Sequence, residues 1–127
     1  MANELRYEEQ MVFFPPATAE EIKQAKSLLM RYRRQKFVMS ELEQMNVLSP
    51  KQELAYNTFK CSTLSIERAV RCIINPDIQN SIEMRFIEGI RRKDVVTHYR
   101  FYNASTVDRR IKKGIIAVAN ILKEFEF

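Results

Sequence analysis

Between Asn103 and Lys113 the chain sets hydroxyls and cations in close succession: Ser105, Thr106, Arg109, Arg110, Lys112 and Lys113, with Val107 and Ile111 interleaved. An Arg guanidinium offers two parallel donors to the edge of guanine, Ser and Thr reach bases or phosphates, and Lys neutralises phosphate as a point charge. The wider window from Arg91 to Lys113 holds eight basic residues, adding Arg91, Arg92, Lys93 and Arg100, against Asp94 and Asp108. Its local balance is +6 in a chain of net charge +5, so the remainder carries −1. A charge excess confined to one segment suits a surface that meets a polyanion, because each neutralised phosphate releases condensed counterion. A merely solvated helix face has the same composition, so the argument turns on where that helix's inward side lies.

Other chemistries find little support. His98 is the single histidine, and no Ser/His/Asp, Cys/His or carboxylate pair assembles around it by spacing. It is expected to be a partly buried polar residue rather than a ligand. Cys61 and Cys72 form no CxxC and have no His partner, which points to two reduced, buried packing residues. The acid pairs Glu8/Glu9, Glu20/Glu21 and Glu41/Glu43 lie at helix starts or in exposed contexts. With two glycines in all, no phosphate-cradling loop can be built. The expectation is a binding protein, not an enzyme, with no cofactor and no metal.

Helices must position the basic segment. A chain of 127 residues with 46% hydrophobic residues is the size of one domain and can bury its own core. It contains no apolar run of membrane-spanning length, and "MANELRYEEQ" lacks a signal peptide's apolar centre, so a cytoplasmic protein is expected. Thr18 and Glu21 form a capping box, and Ile22, Ala25, Leu29 and Tyr32 follow at helical spacing, predicting a helix over about 19–37. "RYRRQK" would then place Arg31, Arg33, Arg34 and Lys36 favourably near its C-terminus. Ser40 with Glu43 predicts a separate short turn. Ser49-Pro50 opens a polar helix to about 60, "CSTLS" breaks the pattern, and Ile66, Ala69, Val70 and Ile73 mark a helix near 64–74.

After Asn75-Pro76, the residues Ile78, Ile82 and Phe86 share one helical face, and Gly89 stands where a left-handed terminator belongs. A short helix over about 92–99 turns Val95, Val96 and Tyr99 inward. Asn103 or Ser105 caps the last helix, whose seam Val107, Ile111, Ile115, Val118, Leu122 and Phe125 runs for five turns. On the helical wheel this seam leaves Ser105, Thr106, Arg109, Lys112 and Lys113 on the open side, with Arg110 at the flank. Two helices joined by a tight turn, the second apolar on one side and cationic on the other, make a helix-turn-helix whose recognition helix spans about 104–114. The fold class expected is all-α, with an N-terminal helical segment over 1–62 and the helix-turn-helix region over 63–127. Arg92, Lys93, Arg100, Asn103, Ser105, Thr106, Arg109, Arg110, Lys112 and Lys113 are the expected DNA contacts.

The stretch "IEMRFIEGIRRKDVVTHYRFYNASTVDRRIKKGI" resembles region 4 of bacterial sigma factors. Arg85, Phe86 and Gly89 match that region's "R-Y-x-x-G" helix end, Asp94, Val95 and Val96 its second helix, and Ser105, Thr106 and Val107 its "S-x-x-T-V" element. The interval from Asp94 to Val107 is one residue longer than the sigma-type arrangement. In length and order the chain is also similar to the ArpU-like phage and prophage regulators related to RinA-type activators, through "VFFPPATAEEIKQAKSLLMRYRRQK", "IERAV" and the sigma-like C-terminal part. Ala117, Asn120 and Ile121 fit that family's last helix only in part. The resemblance implies a DNA-binding activator of phage late genes, with double-stranded DNA and host RNA polymerase as partners. A two-fold-symmetric site would require a homodimer. Two other functions remain open at this point: a DNA-packaging recognition subunit of the small terminase kind, and an adaptor whose basic helix meets RNA polymerase or another protein.

Overall fold

A computed structural model describes residues 15–98 and 103–127. The described residues form an all-α domain of five helices in the order α1 (Ala19–Glu43), α2 (Pro50–Arg71), α3 (Pro76–Ile82, continued by one wider turn over Glu83–Ile87), α4 (Arg92–His98) and α5 (Ala104–Phe125). None of these helices is long and apolar enough to cross a membrane.

Local chemistry sets each helix start. The Thr18 hydroxyl accepts from the Glu21 amide at 3.2 Å while the Glu21 carboxylate accepts from the Thr18 amide at 2.9 Å, satisfying two of the donors a helix start leaves open. Ser49 and Gln52 repeat the device ahead of Pro50. Asn75 Oδ1 accepts from the amides of Asp77 and Ile78, and Asn103 Oδ1 from that of Thr106 at 2.8 Å.

Two expected breaks are absent. The first helix does not end near Phe37 but runs on to Glu43, because no Gly or Pro interrupts 37–43 and Met39 and Leu42 extend its buried stripe. The cations of "RYRRQK" therefore lie mid-helix rather than at a C-terminus. Arg31 turns back to Ser27, and Lys36 pairs with Glu67 at 3.3 Å. Likewise "CSTLS" does not break α2. Thr63 Oγ1 donates to the Lys60 carbonyl and Ser65 Oγ to the Cys61 carbonyl, so hydroxyls that otherwise compete with a helix are absorbed by it. Thr63 is fully buried, with its hydroxyl 3.6 Å from Met39 Sδ. The expected boundary at 62/63 thus falls inside one helix.

The α1–α2 pair is an antiparallel hairpin, shown by contacts that run in opposite directions: Tyr32 OH donates to Glu67 at 2.6 Å, Met39 meets Thr63, and Tyr56 OH donates to Glu43 at 2.8 Å. Burial would push the Glu67 carboxyl up, but the hydrogen bonds from Tyr32 and Lys36 outweigh it and hold the group below its usual range. One core joins α1 (Ala25, Leu29, Tyr32), α2 (Ile66, Ala69, Val70), α3 and its extension (Ile82, Phe86) and α5 (Ile115, Val118, Ala119). A smaller cluster of Met84, Val95 and Val107 joins the end of α3 to α4 and α5, and Ile111 packs against both.

Residues 83–87 are wound wider than an α-helix, with the Glu88 amide bonded to the Glu83 carbonyl at 2.8 Å. At α spacing, Ile78, Ile82 and Phe86 would drift steadily around the axis. The extra residue in this turn cancels part of the drift, keeping Phe86 in the main core while Met84 points to the smaller cluster. Gly89 then ends the element at φ +72°, the left-handed conformation expected for it, and the Arg33 side chain lies where a Cβ would project.

Several expected burials do not occur. Cys61 and Cys72 are both exposed, turned away from the side of Ile66 and Val70, and His98 is exposed as the last residue of α4. Phe125 occupies the seam's angular position yet is 55% exposed, since the last turn runs past its neighbours; it stacks on Phe127 at 5.8 Å between ring centroids. Val95 is buried and Val96 half-buried. The inward position expected for Tyr99 lies outside the described residues.

α5 approaches α3 closely at Gly114, where a Cβ would overlap Cγ1 and Cδ1 of the fully buried Ile82 and sit 3.2 Å from Ile78 Cγ2. Replacing a mid-helix Gly by Ala would gain about 1 kcal/mol of helix propensity, whereas overpacking a rigid β-branched neighbour costs about 1–3 kcal/mol. Gly114→Ala should therefore lower stability in chemical denaturation, and Gly114→Leu should lower it further. A second expectation concerns acid. Glu21, bonded to the Thr18 amide and to Lys123 Nζ at 2.9 Å, has its pKa lowered from 4.5 to about 2. A depressed carboxylate contributes stability that is present above its ordinary value and lost as pH falls through the folded one. Glu21→Gln should flatten the stability loss between pH 4.5 and about 2 in acid titrations of unfolding.

Candidate nucleic-acid interface

The short α4 is held by Val95, which is fully buried between Met84 and Val107. Val107, on the first turn of α5, is likewise fully buried, so these two valines press α4 and α5 together. Further along α5, Gly114, Ile115 and Val118 face the bundle. The inward side is therefore settled, and Ser105, Arg109, Lys112 and Lys113 are exposed on the other side.

A bidentate ion pair crosses between the two helices. Arg92 Nε and Nη2, at the start of α4, donate to the two carboxylate oxygens of Asp108 on α5, both at 2.6 Å. The hydrogen bond from Arg92 holds the Asp108 carboxyl below its usual range, and the same bond raises Arg92. Both side chains are about half exposed, so the pair is a geometric tie between α4 and α5 more than a source of stability.

The structure divides the expected contact set. Lys93, Ser105, Arg109, Lys112 and Lys113 are exposed on α4 and α5. Arg92 is engaged by Asp108. Asn103 is the N-cap of α5, and the Thr106 hydroxyl donates to it at 3.0 Å, so both side chains are used in starting the helix. Arg110 is only 18% exposed and has a guanidinium nitrogen 3.9 Å from the Asp77 carboxylate, which aims it along the bundle instead of outward. Arg100 lies outside the described residues, as does the rest of the turn 99–102. Spacing alone could not reveal the Arg92–Asp108 pair, whose partners are sixteen positions apart. Among the described residues no cluster of three His, Cys, Asp or Glu could hold a metal ion.

The resulting face can bind anions through Arg109, Lys112 and Lys113 and can read hydrogen-bonding edges through Ser105 and Arg109, all within the first three turns of one exposed helix. The Arg92–Asp108 tie should be visible directly. The Arg92 Nε–H resonance should be slowed in solvent exchange, and should lose that protection in Asp108→Asn or when acid protonates Asp108, while the unfolding midpoint shifts only slightly. Equal exchange in the parent and Asp108→Asn proteins would remove the tie. No family model, curated protein or solved structure matches the chain.

Proposed function

We propose that the protein is a sequence-specific DNA-binding transcriptional regulator that inserts the N-terminal half of α5 into the major groove. The observation that carries this reading is the two-sidedness of α5: Val107, Gly114, Ile115 and Val118 bury one side while Ser105, Arg109, Lys112 and Lys113 stand exposed on the other. A major groove admits one α-helix, and the N-terminal residues of a recognition helix lie nearest the bases. Arg109 is assigned to a base edge, Ser105 to a base or phosphate, and Lys93, Lys112 and Lys113 to the backbone. Arg92 can join them where a phosphate replaces the Asp108 carboxylate. The sigma-like and ArpU-like resemblance extends the proposal to activation of phage or prophage late genes in the cytoplasm, with host RNA polymerase as partner and a homodimer on a two-fold-symmetric site. In this reading the protein binds and does not catalyse.

Selection of sites from a random DNA pool, followed by titration of variants on selected and random duplexes, tests it. Arg109→Ala should weaken binding to the selected site by about 1–3 kcal/mol and relax preference at one base position. Lys113→Ala should weaken binding to all duplexes and reduce the salt slope by about 0.9. Equal losses for Arg109→Ala on selected and random DNA would remove it from the groove and favour a structural DNA role, and failure to select any sequence would overturn the regulator reading.

A further inference from the structure

Beside the cationic face of α5 lies an open groove of about 610 Å³ between α1, the wide turn after α3, and α5. Ile22, Met30, Phe86, Ile115 and Ile116 form its apolar lining, and Lys26, Arg85, Arg92 and Lys112 surround it, with Asp108 the one acid on its wall. Arg85 is held at the rim with its guanidinium 5.4 Å from the centroid of the Phe86 ring. A further exposed apolar side chain stands past the groove. Met30 is 63% exposed, and Phe37, two helical turns further on the same side of α1, is 65% exposed. Arg33 and Arg34, both exposed, stand between them in sequence.

We infer that this groove docks an acidic amphipathic helix of a partner protein. From Ala19 to Met30 the α1 wall runs about 16 Å, and to Phe37 about 27 Å, the length of three to five turns of a partner helix. Large exposed apolar side chains lining a groove mark an interaction surface, and helix-in-groove recognition uses apolar anchors at i, i+3, i+4 and i+7. The surrounding cations select the partner's charge: four basic residues against one carboxylate attract acidic side chains flanking those anchors and repel basic ones. The surface is separate from the groove-reading edge of α5, since Met30 and Ile22 belong to α1 and Lys112 alone of the exposed α5 cations borders both. Docking therefore stands whether or not α5 reads DNA.

The test uses the full chain and a labelled amphipathic peptide of about four turns, with Leu at i, i+3, i+4 and i+7 and Glu at the flanking positions, beside a peptide of the same Leu spacing with Lys for Glu. Fluorescence anisotropy should show the Glu peptide binding at least about ten-fold tighter than the Lys peptide, with affinity falling as salt rises. Met30→Asp should weaken Glu-peptide binding by about ten-fold or more without moving the unfolding midpoint or the affinity for DNA, and Arg85→Glu should weaken it similarly. Arg109→Ala should leave it unchanged. A loss in Arg109→Ala equal to that in Met30→Asp would place the peptide on the outer face of α5 and overturn the proposal, as would equal binding of the two peptides. Binding confined to a chain lacking residues 1–14 would assign the groove to the protein's own N-terminal segment. A concentration-dependent dimer abolished by Met30→Asp would assign it to a second copy. Either result would overturn the partner assignment.

Discussion

The absence of a side chain at Gly114 allows the α5 backbone to lie directly on Ile82 and Ile78 of α3. The buried side of the middle of α5 follows from that contact. It brings Ile115, Val118 and Ala119 into the core shared with α1 and α2. The far end of the helix is tied separately: Asn120 Oδ1 accepts from the Ala17 amide at 2.7 Å, and Lys123 reaches Glu21. α5 is thus gripped at its start by Val95 and Met84, in its middle by Ile82 and Ile78, and near its end by Ala17 and Glu21.

Local signals were legible and long-range ones were not. The starts of α1, α2, α3 and α5 could be read because a capping side chain and its target amide lie within three residues. Gly89 was legible because a positive φ is nearly a glycine privilege. The continuity of α1 and α2 was hidden because it depends on Met39 and Thr63 meeting across twenty-four positions, a contact that outweighs the local tendency of Ser and Thr to leave a helix. The exposed side of α5 emerged from its wheel alone, since its apolar residues recur over five turns. The apolar groove did not, because Lys26 and Met30 reach α5 only through the packing of distant helices. Individual contacts were the least legible: what Arg92 and Arg110 do is decided by Asp108 and Asp77, one sixteen and the other thirty-three positions away.

The cations of the C-terminal region consequently do different work. Arg92 ties two helices, Arg110 lies along the bundle, and Arg109, Lys112 and Lys113 face outward. A net charge treats these groups alike, whereas their geometry separates those that tie helices together from those exposed on the surface. Asp108 illustrates the point: it lowers the positive potential of the face on which it sits, yet it holds the guanidinium that spans α4 and α5.

The wide turn over Glu83–Ile87 acts as a phase corrector between two helical registers. Upstream, Ile78 and Ile82 face the main core; within the turn, Phe86 keeps to that core while Met84 turns to the cluster with Val95 and Val107. The wider winding of this one turn lets both directions coexist before Gly89 ends the element. A single five-residue turn thereby serves two packing directions, closing the main core on one side and seating α4 and the start of α5 on the other.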